Sequence, residues 1–182
     1  TALAQTTERT SEETATAPPA REQQIFRLQI FQTLDLAQSG HGIPHKDFGQ
    51  YQQYLSKRLS RVRHVKAVRS TLVHNHKYVE GKSGKRHTYA ARNESPAVVE
   101  HENIVWSLFY QAERAWAVAC ELQQSQSTSE TNLHAHVQRR LNKAVKLAVV
   151  MEELSVRCCN GQTVTECQAY AAWMKANAAL EQ

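Results

Sequence analysis

Residues 103–120 read NIVWSLFYQAERAWAVAC, and this stretch decides the fold. Ile104, Val105, Leu108, Phe109, Ala112, Trp116, Ala119 and Cys120 lie on or beside one face of a helix. Alanine alternates with large aromatics, which lets neighbouring helices approach closely while Trp and Tyr fill the gaps. The spacing predicts a helix that opens at Ser95-Pro96, a capping residue before a proline, and fades over Gln123 to Ser129. Downstream, a helix is predicted from Glu130 to Arg157 through Leu133, Val137, Leu141, Ala144, Val145, Ala148 and Met151. Another begins at Thr163-Val164-Thr165-Glu166, which has capping-box spacing, and continues through Tyr170, Trp173 and Ala178. Upstream, Glu22 to Ala37 carries Ile25, Leu28, Phe31, Leu34 and Leu36 at helical spacing and stops at Ser39-Gly40-His41-Gly42. A further helix is predicted after Pro44, reaching about Thr71, with Phe48, Tyr51, Leu55, Leu59 and Val62 on one stripe.

Only Thr71 to Tyr78 offers a brief strand-like pattern, so the chain reads as all-α. Long helices joined by short loops favour antiparallel hairpins, a tetratricopeptide-like bundle of about five or six helices. No strict repeat of about 34 residues is present, so that likeness is architectural.

The 182 residues suffice for one domain with a real core. Residues 1–21 are read as a disordered tail and 22–182 as a single domain, a fragment of a longer protein. Thr1 to Ala20 holds only Leu3 as a large apolar residue, besides Pro18-Pro19. It lacks a secretory signal, and no run approaches the eighteen or so apolar residues of a membrane span, so a soluble chain without membrane insertion is expected. Cys120, Cys158, Cys159 and Cys167 form no C-x-x-C pair and are expected as reduced, mostly buried thiols. His74-Asn75-His76 and His134-Ala135-His136 lack further ligands at metal spacing, so no metal or other cofactor is expected.

Charge is distributed unevenly. Between Lys57 and Arg92 lie 11 of the 22 Lys/Arg residues and a single acid, Glu80. A formal net charge of +5 thus conceals a mildly acidic protein with one strongly basic segment. Such a block suits a polyanionic partner, the plainer alternative being a solvated helix face and loop. On the predicted second helix, Lys66 and Arg69 fall on the arc that Phe48, Tyr51, Leu55, Leu59 and Val62 occupy earlier, while Lys57, Arg58, Arg61, Arg63 and His64 surround the rest. The expectation is an arginine-rich helix whose C-terminal half projects from the bundle. Beyond it, Glu80 to His87 is a glycine-containing basic loop with Lys82, Lys85 and Arg86, flanked by Tyr78 and Tyr89 for stacking on bases. Gly81-Lys82-Ser83 lacks the upstream glycine of a Walker motif, where His76 stands instead. A smaller cluster, Arg139, Arg140, Lys143 and Lys146, lies on the predicted fourth helix.

Several motifs together are similar to a known family. His41-Gly42-Ile43-Pro44-His45-Lys46-Asp47-Phe48, then Tyr51, Tyr54, Lys57, Arg58, Arg61 and Arg63, resembles the RNA-binding domain of the signal recognition particle's sixty-eight-kilodalton subunit. Ala112-Glu113-Arg114-Ala115-Trp116, Arg140-Leu141-Asn142-Lys143-Ala144-Val145-Lys146 and Glu166-Cys167-Gln168-Ala169-Tyr170 extend the likeness in the family's order. It covers roughly residues 25–175. The resemblance implies a helical domain that binds the particle's RNA at a three-way junction through an arginine-rich helix, opening and bending it, in co-translational targeting to the endoplasmic reticulum. Lys57, Arg58, Arg61 and Arg63 would be the inserted cations, with Lys143, Lys146 and Arg140 on the backbone. His41, Gly42, Asp47, Phe48 and Tyr51 would set the start and packing of the helix. Glu113, Arg114 and Trp116 are favoured as a packed, ion-paired hairpin. The resemblance further implies a cytoplasmic particle assembled in the nucleolus, the ribosome as a partner, and the seventy-two-kilodalton subunit bound through regions outside this fragment. Asn142 and His64 stand where the family is expected to be more basic, and the loop from His74 to Asn93 is long.

Enzymatic function has little support: no Ser/His/Asp set, paired carboxylates or small-molecule site is visible. The alternative class is a helical protein-interaction scaffold whose basic helix docks on an acidic protein or ribosomal surface.

Overall fold

The computed structural model describes residues 25–65, 68, 99–125 and 131–181. Five α-helices are present among them: α1 (Ile30–Gly40), α2 (Phe48–His64), α3 (Asn103–Gln124), α4 (Thr131–Cys158) and α5 (Gly161–Ala179), with a short 3-10 turn at Ile43–His45. The described chain is thus an all-α bundle. α3 lies at its centre, packing against α2 and α4, with α5 closing the far side. The alanine and aromatic pattern of α3 explains this position. Ala112, Ala115, Ala117 and Ala119 are buried and admit close neighbours, while Phe109 meets Tyr170 at 5.4 Å and Trp116 meets Trp173 at 5.3 Å.

α2 runs antiparallel to α3, with Phe48 edge-on to Trp116 at 6.0 Å and, further along, Arg58 over Tyr110. Tyr51, Leu55 and Leu59 form its buried stripe. Its entry is built by Gly42, whose φ of +93° is open to glycine; a Cβ there would meet the Asp47 carbonyl at 2.5 Å. Asp47 then caps the helix, its Oδ1 accepting from the Gln50 N–H at 2.8 Å. His41 stacks on Tyr54 with centroids 3.7 Å apart.

The structure corrects four boundaries. Residues 25–29 are extended rather than helical: Phe26 and Leu28 point into the core while Ile25 is 67% exposed. The Phe26 N–H donates to the Cys158 carbonyl, and its carbonyl accepts from Asn160, so the α4–α5 connection supplies the backbone partners a helix would have provided. Phe31 and Leu36, which contribute to the apolar helical spacing of this segment, are exposed on α1. α3 begins at Asn103, with 99–102 non-helical; Ser95 and Pro96 lie outside the described residues. α5 begins at Gly161, capped by Asn160, whose Oδ1 accepts from the Thr163 N–H. Glu166, expected to close that helix's own capping box, instead accepts from the Ile30 N–H of α1 at 2.7 Å. Finally, α2 ends at His64, with Val65 extended at ψ 127°, and Val68 is fully buried. The expected placement of Lys66 and Arg69 on the core arc lies outside the described residues.

Thr1 to Gln24, the Thr71 to Tyr78 segment and the 80–87 loop lie outside the described residues. Cys158 and Cys167 are buried, and Cys120 and Cys159 half-buried. Burial pushes the Cys120 thiol up to about 12 and Cys167 up to about 11, so both stay protonated at neutral pH.

Candidate nucleic-acid interface

The solvent face of α2 is cationic, while Tyr51, Leu55 and Leu59 are buried. Lys57 and Arg61 are exposed away from the fully buried Tyr51 and Leu55, and Arg58 is exposed at the edge of that buried stripe. Arg58 stands over the Tyr110 ring at 6.0 Å to its centroid and is held there by Tyr110 and Tyr54. It is thereby presented with less side-chain freedom than a free surface arginine.

Arg63 is half-buried on the other flank, where α2, α3 and α4 meet around a groove of about 340 Å³. Arg114 of α3 and Arg140 and Lys143 of α4 join Arg63 along it. Four cations from three helices, separated in sequence, therefore share one half-enclosed space. Among the described residues, Arg114, Arg140 and Lys143 have no carboxylate partner. Concentrated positive charge beside low-dielectric walls raises the local potential for an anion. On its other side Arg114 borders an open depression with Lys57 and Glu121, the latter bonded to Gln52.

Of the residues singled out from sequence, Arg63, Arg140 and Lys143 line this groove, Lys57 borders the neighbouring depression, and Arg58 and Arg61 are exposed elsewhere on α2. Lys146 is exposed one helical turn beyond Lys143. Arg139 turns back onto its own helix, its Nε donating to the Ala135 carbonyl at 3.1 Å. Lys66, Arg69, Lys82, Lys85 and Arg86 lie outside the described residues. Arg114, favoured from the sequence as part of a packed, ion-paired hairpin, is instead exposed and lines the groove. It shares a side of α3 with Gln111 and Val118, one turn to either side.

The expected ion pairing at Glu113 is replaced by something else. Glu113 is completely buried and accepts from the Tyr51 hydroxyl at 2.7 Å, from the Tyr170 hydroxyl at 2.8 Å and from the Gln38 amide at 3.4 Å. Burial raises its pKa, and the three donors offset this only in part. Four helices are thus fastened through one carboxyl, and α2 with its cations is among them.

The sequence matches the family described as RNA-binding signal recognition particle 68 over residues 43–182. It is 34% identical over 168 residues to signal recognition particle subunit SRP68 of Drosophila melanogaster, spanning 90% of this chain and 26% of that protein. It is 26% identical over 166 residues to the Dictyostelium discoideum subunit of the same name, spanning 85% of this chain and 24% of that protein. The chain therefore spans about a quarter of the length of these relatives.

Proposed function

This chain belongs to the RNA-binding signal recognition particle 68 family, and on that premise we propose that it is a non-catalytic module binding the particle's RNA at a three-way junction. The observation that carries this reading is the solvent face of α2, where Lys57 and Arg61 stand exposed away from buried Tyr51, Leu55 and Leu59, with exposed Arg58 at the edge of that stripe over Tyr110. An intact A-form groove is too deep and narrow for side chains, so the preferred target is a looped or junction region where the groove opens. Arginine is suited to this, since its planar fork bonds phosphates and guanine edges and stacks on bases. The packed half of α2 fixes the helix axis before contact, and less ordering is left to be done on binding. RNA whose own junction must bend then meets a preformed surface.

No helix among the described residues is long and apolar enough to cross a membrane. Within the particle, the module serves protein targeting to the endoplasmic reticulum from the cytoplasm, after nucleolar assembly. The seventy-two-kilodalton subunit and the ribosome are its partners there. Lys66, Arg69, Lys82, Lys85 and Arg86 are proposed as further cations that contact the RNA.

Titration of the chain with labelled three-way-junction RNA and with plain duplex of equal length, in the same salt, tests this. The junction is expected to bind at least about tenfold more tightly, roughly 1.4 kcal/mol. Equal affinity would contradict the reading and favour docking on an acidic protein surface.

A further inference from the structure

Away from the cationic surface, the α4–α5 connection brings two thiols together. Cys158 is the last residue of α4 and Cys159 follows it, with their Sγ atoms 3.7 Å apart. Cys158 is buried, its Sγ donating to the Leu154 carbonyl at 3.2 Å. Cys159 is half-buried, so small solutes reach the pair from its side. The hydrogen bond from Cys159, with Arg157 adding to it, holds the Cys158 thiol below the usual thiol range against the cost of burial. Cys120 and Cys167, pushed up by burial, lack that activation.

The peptide unit between the two cysteines holds two backbone bonds at once. Its carbonyl, from Cys158, accepts from the Phe26 N–H at 2.8 Å, and its N–H, from Cys159, donates to the Ser155 carbonyl at 2.8 Å. The first bond clasps the extended segment 25–29 to the bundle, and the second closes the last turn of α4. Asn160 completes the clasp, its N–H donating to the Phe26 carbonyl at 2.9 Å. Leu28 is held separately by the Thr163 hydroxyl, and Ile30 by Glu166. A disulfide between adjacent residues closes a tight ring around their shared peptide unit. Cα atoms joined by a trans peptide lie about 3.8 Å apart, short of the roughly 4.4–6.8 Å that disulfides prefer. Closure therefore turns the peptide unit, and its carbonyl and N–H cannot both keep their partners.

We propose that Cys158 and Cys159 are a site of reversible oxidation by a hydroperoxide, and that their disulfide unclasps Phe26 from the α4–α5 connection. The Cys158 thiolate attacks one peroxide oxygen: an S–O bond forms, the O–O bond breaks, and the leaving oxygen takes up a proton. The Cys159 sulfur then attacks the resulting sulfenic sulfur. The S–S bond forms, the S–O bond breaks, and the hydroxyl leaves as water with the Cys159 proton. The thiol pair gives up two electrons in all, and the peroxide takes them. A strained ring is readily reduced, so a dithiol reductant reverses the step. The pair lies roughly 22 Å along α4 from Lys143, so the response is confined to the clasp and the cationic groove keeps its geometry.

The test treats the whole chain with hydrogen peroxide at neutral pH. The tryptic peptide from Cys158 to Lys175 is expected to become about 2 Da lighter, with backbone fragments between Cys159 and Cys167 placing the bond in the adjacent pair. Amide exchange at Phe26 and Cys159 should accelerate at least about tenfold, while the middle of α3 stays as it was. Dithiothreitol should restore both mass and exchange. Cys159→Ser lacks the second sulfur, so peroxide should leave a sulfenic acid on Cys158 and no change in exchange at Phe26. The wild-type measurements stand by themselves if that variant folds poorly. Both thiols surviving peroxide that oxidises free glutathione would overturn the proposal. So would a disulfide to Cys120 or Cys167, or an adjacent disulfide that leaves exchange at Phe26 unchanged.

Discussion

The Tyr51 hydroxyl of α2 donates to Glu113 Oε2 of α3 at 2.7 Å, where both side chains are fully buried. Tyr170 of α5 donates to the other carboxylate oxygen at 2.8 Å. The cation-bearing helix is therefore joined to the scaffold by a hydrogen bond as well as by its apolar stripe. A carboxyl in a dry site is costly when ionised, and it is tolerated here because three donors converge on it.

Replacing Glu113 tests that join. Glu113→Ala strands two buried phenols, so urea denaturation should show a loss of about 3 kcal/mol or more. Glu113→Gln retains an acceptor and should cost less than half as much.

The wild type and Glu113→Gln should also differ in a defined way with pH. Glu113 has a folded pKa above its unfolded value, so the folded state holds its proton more tightly. Its stabilising contribution is full below the unfolded value of about 4.3 and declines as pH rises toward the folded value. Wild-type stability minus that of Glu113→Gln should therefore fall as pH climbs from about 4. A difference that stays flat or rises would contradict the direction.

Gly42→Ala should destabilise the entry to α2 by about 1–3 kcal/mol. The strain arises because φ is +93° and the new Cβ would meet the Asp47 carbonyl at 2.5 Å. Amide exchange at Gln50, which Asp47 caps, should accelerate in the variant more than exchange in the middle of α5.

Glu166→Ala removes an acceptor for the first N–H groups of α1, contributed from a residue 136 positions away. The expected loss is about 1 kcal/mol, as for a helix cap. Faster exchange at Ile30 and Phe31, with α4 unaffected, would mark the effect as local.

How far the sequence discloses these features depends on the range over which each is encoded. α4 is legible nearly to its ends, and α3 through its core, because their apolar faces repeat over many turns. Ile25 to Ile30 supports both a helical and an alternating reading, and what decides between them is the bonding of Phe26 to Cys158 and Asn160. No local pattern contains that contact. Glu166 misleads for the same reason, since its partner is the start of a helix at the other end of the chain. The basic segment is visible as charge, and the exposure of Lys57 and Arg61 follows from the buried stripe they face away from. The groove is not, because Arg63, Arg114, Arg140 and Lys143 meet only once three helices are packed.

Salt dependence separates electrostatic contacts from the rest. If about 6–8 phosphates are neutralised, log affinity for junction RNA should fall with log salt at a slope of roughly −4 to −7. Arg140→Gln or Lys146→Gln alone should make that slope shallower by about one if the residue touches a phosphate, and leave it unchanged if it does not.

The most direct measurement is the affinity of Lys57→Ala/Arg58→Ala/Arg61→Ala for three-way-junction RNA at physiological salt, with helicity matched to wild type by circular dichroism. All three side chains are exposed, so the core of α2 should survive their loss. Binding roughly a hundredfold weaker is expected, on the order of 1 kcal/mol for each contact removed, with a salt slope shallower by about three. A folded triple variant that binds the junction as tightly as wild type would contradict it.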